Sequence, residues 1–268
     1  MPKTLLITGA TDGIGLETAK LLAADGHTLL LHGRSSDKLA AAEKTLREIP
    51  SVGHLESYRA DLSKLQEVRA LAKTVRAGHE HLDVVINNAG VFKVPGSALV
   101  NGLDLRFVVN TIAPYLLTRL LLGAMDSDGR VVNLSSAAQA SVDLEALRGR
   151  RSLGDSEAYA QSKLALTMWS FHMAQEVAGK GPALIAVNPA SLLASKMVKD
   201  AYGVAGNDLS VGAEVLVRAA LGAEFASANG RYYDNDLQRF ADPHGDALNS
   251  EKNADLVHAI ETLIEIHS

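Results

Sequence analysis

The run Thr4-Leu-Leu-Ile-Thr8-Gly9-Ala10-Thr11-Asp12-Gly13-Ile14-Gly15 decides the fold. Thr4–Thr8 is a short apolar segment that reads as a strand, and the periodic stretch Leu16–Ala24 after it reads as an amphipathic helix that Gly26 stops. Between them Gly9, Gly13 and Gly15 let the backbone turn sharply and approach a pyrophosphate closely. The helix amino terminus then offers free N–H groups and a partial positive charge. Strand, glycine loop and helix in that order read as a nucleotide site, with Gly9, Thr11, Asp12, Gly13, Ile14 and Gly15 as its contacts.

Outward from this unit, strand-like runs alternate with helical patterns nearly to the end. The strands are expected at Thr4–Thr8, Thr28–Gly33, Leu55–Arg59, Asp83–Asn87, Gly129–Leu134 and Leu184–Asn188, with a weaker one at Gly230–Tyr233. Helical stretches include Ser36–Arg47, Lys64–Ala77 and Gly102–Leu122. Such alternation predicts an α/β fold, a doubly wound parallel sheet with helices on both faces. No linker or repeat divides the chain, so residues 1–268 are read as one domain. Two long unassigned stretches, Ala137–Ser156 and Ser191–Ser210, are read as functional walls or lids.

Composition narrows the class. Hydrophobic residues make up 47% of the 268 and charged residues 21%, and no 18 apolar residues run uninterrupted, so no membrane span is expected. A strand beginning at Thr4 leaves no room for a targeting peptide. Zero cysteines exclude disulfides, thiolate metal sites and thiol catalysis; no metal is assigned, and a cytoplasmic location is expected. A net charge of −5 without a long basic run argues against nucleic-acid binding.

The end of the second strand addresses which nucleotide binds. A carboxylate there would accept bonds from ribose hydroxyls and repel a 2′-phosphate. This chain has His32-Gly33-Arg34-Ser35-Ser36 instead. Arg34 offers a fork for a phosphate and Ser35 a second donor, whereas Asp12 weighs against one. NADP(H) is favoured and NAD(H) stays open. Further on, Tyr159 and Lys163 lie at i and i+4 on one helix face, where an ammonium favours the phenolate and makes a phenol a usable acid.

These motifs resemble the short-chain dehydrogenase/reductase family from Thr4 to about Met197. Thr8–Gly15 fits its TGxxxGIG loop, Asn87-Asn88-Ala89-Gly90 its NNAG motif, Asn110 its helix asparagine, Ser136 its strand-ending serine, and Tyr159 with Lys163 its YxxxK motif. The long segment Ala137–Ala158 resembles the retinol-dehydrogenase-like branch. The resemblance implies a sheet of about seven strands and hydride transfer between nicotinamide and an alcohol or carbonyl. It implies that Asn110 holds a proton-relay water, that Ser136 (with Ser135 as the alternative) binds the substrate oxygen, and that Tyr159 donates the proton. Lys163 would bind the nicotinamide ribose. Asn87 would tie neighbouring strands, while Asn88, Ala89 and Gly90 pass close to the cofactor ribose. Asp61 and Leu62 would flank the adenine, with a helix cap as the other reading of Asp61.

One departure stands out. The family has Pro-Gly after the sixth strand, and this chain has Pro189-Ala190. Either the nicotinamide packing is shifted, or the turn uses an ordinary backbone conformation; Pro189 is kept as a cofactor contact. A substrate loop is expected at about 191–210, with Leu193, Met197, Val198 and Tyr202 as wall or packing residues around a lipophilic substrate. Family habit implies a homodimer or homotetramer. A catalytically silent nucleotide sensor is the alternative function. An epimerase or dehydratase would need a carboxy-terminal substrate domain and a different glycine spacing, neither of which is visible.

Overall fold

The computed structural model describes residues 1–94, 98–191, 193 and 208–267. Its main sheet has eight strands, one more than the family resemblance implies: β1 (Thr4–Ile7), β2 (Thr28–Gly33), β3 (Leu55–Arg59), β4 (Val84–Asn87), β7 (Arg130–Leu134), β8 (Ala183–Asn188), β9 (Arg231–Asp234) and β10 (Arg239–Ala241). Spatial order is β10-β9-β8-β7-β4-β1-β2-β3, parallel except for β10, which runs antiparallel to β9. β10 escaped the sequence reading because three residues, Arg-Phe-Ala, carry too little periodicity to signal a strand.

The strands sit inside because both faces are apolar. On one face Leu6, Leu30, Val85, Val131 and Leu184 pack against α3 (Leu65–Gly78), α5 (Ala113–Leu121), α7 (Asp155–Glu176) and α9 (Ser250–Ile266). On the other, Leu5, Ile7, Leu31, Ile86 and Val132 meet α1 (Gly13–Ala24), α2 (Ser36–Arg47) and α8 (Leu209–Leu221). Alternate residues of each strand therefore feed opposite cores. A one-residue slip in register would exchange the two sets.

The run expected to be helical from Gly102 begins as a hairpin. β5 (Leu99–Val100) pairs with β6 (Leu103–Asp104), and Asn101 and Gly102 between them have φ of +50° and +80°. Asn-Gly is the dipeptide that such a two-residue turn favours. The helix follows as α4 (Leu105–Phe107), a π turn (Val108–Ile112) and α5, with Ala113 N–H bonding to the Val108 carbonyl five residues back. Pro114 explains the widening: it has no N–H to give the Asn110 carbonyl four residues earlier. Residues Leu105–Ala124 are long and apolar enough to cross a bilayer, yet 72% of their most apolar window is buried inside the protein. A core helix meets the same test. The stretch 137–156 contains the short helix α6 (Leu144–Leu147) and the start of α7.

His32 joins three strand ends. It is buried, its Nδ1 accepts from Gly9 N–H at 3.3 Å, and its Nε2 stands 3.0 Å from the Ala60 carbonyl. Those partners suit the neutral ring with the proton on Nε2, and burial lowers its pKa to about 4. The unfolded chain binds this proton near pH 6.5 and the folded chain only near 4, so stability falls as pH drops between those values. We expect about 2 kcal/mol less stability at pH 5 than at pH 7.5 from this group. Urea melts of wild type and His32→Gln at both pH values check it, because the variant should lose that part of the slope. An unchanged slope assigns the acid sensitivity elsewhere.

Candidate active site

A cavity of about 1200 Å³ opens at the carboxyl ends of β1 and β4, where the strand order reverses. Gly9, Thr11, Asp12, Gly13, Ile14, Arg34, Asp61, Leu62, Asn88, Ala89, Gly90, Ser136, Tyr159, Lys163 and Pro189 line it; Gly15, Ser35 and Asn110 do not. Of the expected substrate loop, Leu193 lines the cavity and is buried, while Met197, Val198 and Tyr202 lie outside the described residues.

The glycine loop is seated by one hydroxyl. Thr8 Oγ1 accepts from Asn88 N–H (3.0 Å) and Ala89 N–H (3.1 Å) and donates to the Ile86 carbonyl (3.3 Å). The Asn88 amide returns two bonds, to the carbonyls of Thr8 (2.9 Å) and Gly9 (3.1 Å). Gly9 has φ of +67°, and a Cβ on Gly15 would fall 2.2 Å from the Gly9 carbonyl oxygen and 2.4 Å from Asn88 Nδ2. Gly15 therefore serves helix-to-loop packing, while Gly13 and Ile14 at the head of α1 face the cavity.

At the β2 end, a Cβ on Gly33 would stand 2.6 Å from the Thr11 methyl, so a carboxylate there would meet a steric obstacle. Arg34 is exposed on the rim. Ser35 caps α2, its hydroxyl accepting from Lys38 N–H at 3.4 Å. Lys38, absent from the sequence reading, also lines the cavity, and its Nζ lies 3.3 Å from Asp12 Oδ2. This pair offsets the Asp12 charge that weighs against a phosphate. Asp61 accepts from Ser63 N–H (3.0 Å) and Ser63 Oγ (2.8 Å), a turn inside the loop rather than the cap of α3, which is Lys64. Burial pushes its pKa up, but the Ser63 donors, Lys64 and Arg34 together bring it below the usual value.

At the other end, β4 and β7 are stitched by Asn87, whose amide donates to Asn133 Oδ1 (2.7 Å) and Thr118 Oγ1 (3.0 Å). Ser135 is buried, paired with Thr167 at 2.7 Å, while Ser136 is half-buried on the cavity wall, its Oγ accepting from Ala138 N–H at 3.1 Å. Of the two serines, Ser136 is thus the more accessible. Lys163 is buried, donates to the Leu134 carbonyl at 2.6 Å, and has its pKa lowered by burial to about 8. Its Nζ lies 5.8 Å from the centre of the Tyr159 ring. A Cβ on Gly90 would stand 3.5 Å from that Nζ, so glycine keeps the space beside the ammonium clear.

Asn110 is engaged by protein. Its Oδ1 accepts from Val91 N–H (2.8 Å), and its Nδ2 donates to the Val91 carbonyl (2.9 Å) and to Ser162 Oγ (3.0 Å). The side chain pins the segment following the NNAG turn to the tyrosine helix.

Two residues that the sequence reading passed over shape this end. Phe92 packs its ring 4.7 Å from the Tyr159 ring. Arg106 is buried, grips Asp104 through Nε and NH2 (both 3.0 Å), and spends NH1 on the Phe92 carbonyl (3.0 Å) and Asp155 Oδ1 (2.7 Å). One guanidinium thus fixes the β5–β6 hairpin, the Phe92 wall and the first turn of α7. Its signal in the sequence was an arginine amid an apolar helical run.

The turn after β8 settles the open point about Pro189-Ala190. Ala190 has φ of +120°, so the chain keeps a conformation suited to glycine while carrying an alanine.

Residues 3–202 match the short chain dehydrogenase family. Human "Retinol dehydrogenase 13" is 29% identical over 91% of this chain and 80% of its own length. A solved structure of an uncharacterised protein from Mycobacterium Paratuberculosis aligns over 98% of this chain and 93% of its own, with 28% identity and a TM-score of 0.80. A metagenomic short-chain oxidoreductase solved in complex with NADP aligns over 81% of this chain and 89% of its own, with 29% identity and a TM-score of 0.62. The chain belongs to the short-chain dehydrogenase family, in its retinol-dehydrogenase-like branch, and is an NAD(P)-dependent oxidoreductase of CH–OH and C=O groups.

Thr8→Val keeps the shape of the loop anchor but takes the acceptor from Ala89 N–H and leaves Asn88 N–H with only the Ile86 carbonyl at 3.1 Å. Denaturant melts should show a loss of about 1–3 kcal/mol, with Thr8→Ser close to wild type. A Val variant as stable as wild type would remove the hydroxyl from its anchoring role.

Proposed function

We propose that this enzyme prefers NADP(H) and interconverts a lipophilic alcohol with its aldehyde or ketone. The observation that carries the reading is that Ser136, Tyr159 and Lys163 line the same cavity as the glycine loop, with Lys163 Nζ 5.8 Å from the Tyr159 ring centre. The cradle suits a dinucleotide: Gly9 and Gly13 turn at positive φ on the cavity wall, the head of α1 behind them favours an anion, and Gly90 lies beside Lys163. When bound, the nicotinamide supplies or accepts the hydride.

The chain's own groups do the rest. In the reducing direction Ser136 donates a hydrogen bond to the carbonyl oxygen, and Tyr159 passes its phenolic proton to that oxygen. Lys163, cationic below about pH 8, favours the phenolate left behind and is held in place by the Leu134 carbonyl. As pH rises through that value the ammonium loses its charge and this help ends. Asn110 holds the Val91 backbone and Ser162 in place beside Lys163. The apolar wall of Val91, Phe92, Val94, Leu105 and Val109 suits a lipophilic substrate, as does the name of the human relative. Arg34 and Lys38 place two cations on the rim near Gly33, and the NADP complex of the metagenomic relative supports the same preference.

Screening NADPH and NADH with a panel of aldehydes, ketones and alcohols tests the activity; Tyr159→Phe should then cut turnover by about 10²–10⁴-fold while still binding cofactor. Turnover near wild type in that variant would end the tyrosine mechanism. For the cofactor, Arg34→Ala should weaken NADP binding by about 1.5–3 kcal/mol and leave NAD binding nearly unchanged, as read by calorimetric titration. Equal losses for both cofactors would make Arg34 a loop support and overturn the preference.

A further inference from the structure

The turn that closes the cavity beyond β8 is held by the hairpin that the sequence did not reveal. Asn235 and Asp236 sit between β9 and β10. Asn235 is buried and its amide donates to the Pro189 carbonyl at 3.0 Å. Asp236 takes three bonds: from Ser191 N–H (2.9 Å, Oδ1), Ser191 Oγ (2.7 Å, Oδ2) and Asn188 Nδ2 (2.9 Å, Oδ2). Asn188 is itself buried; its Nδ2 also donates to Asp234 Oδ1 at 3.0 Å, and its Oδ1 faces Ala190 N–H at 3.4 Å. The residues on both sides of Ala190 are therefore fixed by side chains from the next strand pair.

Ala190 itself, which lines the cavity, is the strained element. Positive φ costs an L side chain free energy and persists only where the surroundings over-determine it. We propose that Asp236, together with Asn188, is a positioning residue for the dinucleotide: it holds Ala190 in a glycine-type turn, so that Pro189–Ser191 keeps the backbone path that cofactor binding uses. The proposal rests on the nucleotide reading above for its binding arm. A glycine at position 190 would need no such latch. The alanine and the carboxylate are accordingly a coupled pair, the strain of one balanced by the hydrogen bonds of the other. Asp236 is exposed on a hairpin turn, so removing its side chain leaves both cores untouched.

The test uses full-length wild type, Asp236→Ala, Ala190→Gly and the double variant. Each is titrated calorimetrically with NADP⁺ and melted without it. Asp236→Ala should weaken NADP⁺ binding about tenfold, because the turn relaxes away from positive φ. Ala190→Gly should bind at least as tightly as wild type and melt about 2–4 °C higher. The double variant should bind within about threefold of Ala190→Gly, a rescue that a merely structural role for Asp236 would not show. Wild-type affinity in Asp236→Ala, or failure of glycine to rescue it, overturns the proposal. If wild type binds NAD⁺ instead, the same titrations use NAD⁺; if it binds neither, the nucleotide reading falls, and the latch is decided by melting alone. Loss of Asp236 should then lower Tm more in the Ala190→Gly background, where no strain is released, than beside the native Ala190. Equal losses would overturn it.

Discussion

The Thr8 hydroxyl sits where the two halves of the sheet diverge, and the rest of the site depends on its three bonds. β1 ends there, β4 ends beside it, and the crevice between them exists because the chain leaves these strands in opposite directions. In the turn after β4 the Ala89 N–H finds the hydroxyl, and the Asn88 N–H is shared between the hydroxyl and the Ile86 carbonyl. Because Asn88 answers with its amide, the glycine loop and the NNAG turn form one rigid piece. His32 adds the third strand to that piece by accepting from Gly9. The glycine loop and the NNAG turn are thus positioned by the same few bonds.

Buried charge is the second constraint. Lys163 and Arg106 both lie inside the protein, where an unpaired ion is costly. Arg106 meets that cost with two carboxylates and a carbonyl, and keeps its position by satisfying them together. Lys163 has one carbonyl acceptor, and burial leaves its pKa at about 8. The contrast fits their work. The first anchors the wall beneath Phe92, and the second stands beside the Tyr159 ring with its charge weakened by burial.

Much was legible along the chain because it is local. The β1–glycine loop–α1 unit, six further strands and the Tyr159–Lys163 spacing all follow from periodicity and turn chemistry confined to a few residues. The Asn101-Gly102 hairpin was equally local and could have been read from its dipeptide; it was hidden by the helical pattern that follows. Pro114 likewise stands four residues after Asn110, so the π turn has a cause in the sequence, although the widened turn itself is a three-dimensional outcome.

By itself the sequence determined the doubly wound class, the strand-end location of the site and the residue types available to it, since each rests on short-range pattern. Tertiary structure decided which of those residues face the cavity and what each one leans on. Gly15 became a packing contact and Asn110 a strut because partners far along the chain reached them, whereas Ser35 caps its own helix three residues on. Lys38 came to neutralise Asp12 only when α2 folded back onto the glycine loop. The conformation of Ala190 was least legible of all. An alanine prefers negative φ by its own sterics, whereas here Asn188 and side chains from residues 235 and 236 hold the backbone on both sides of it.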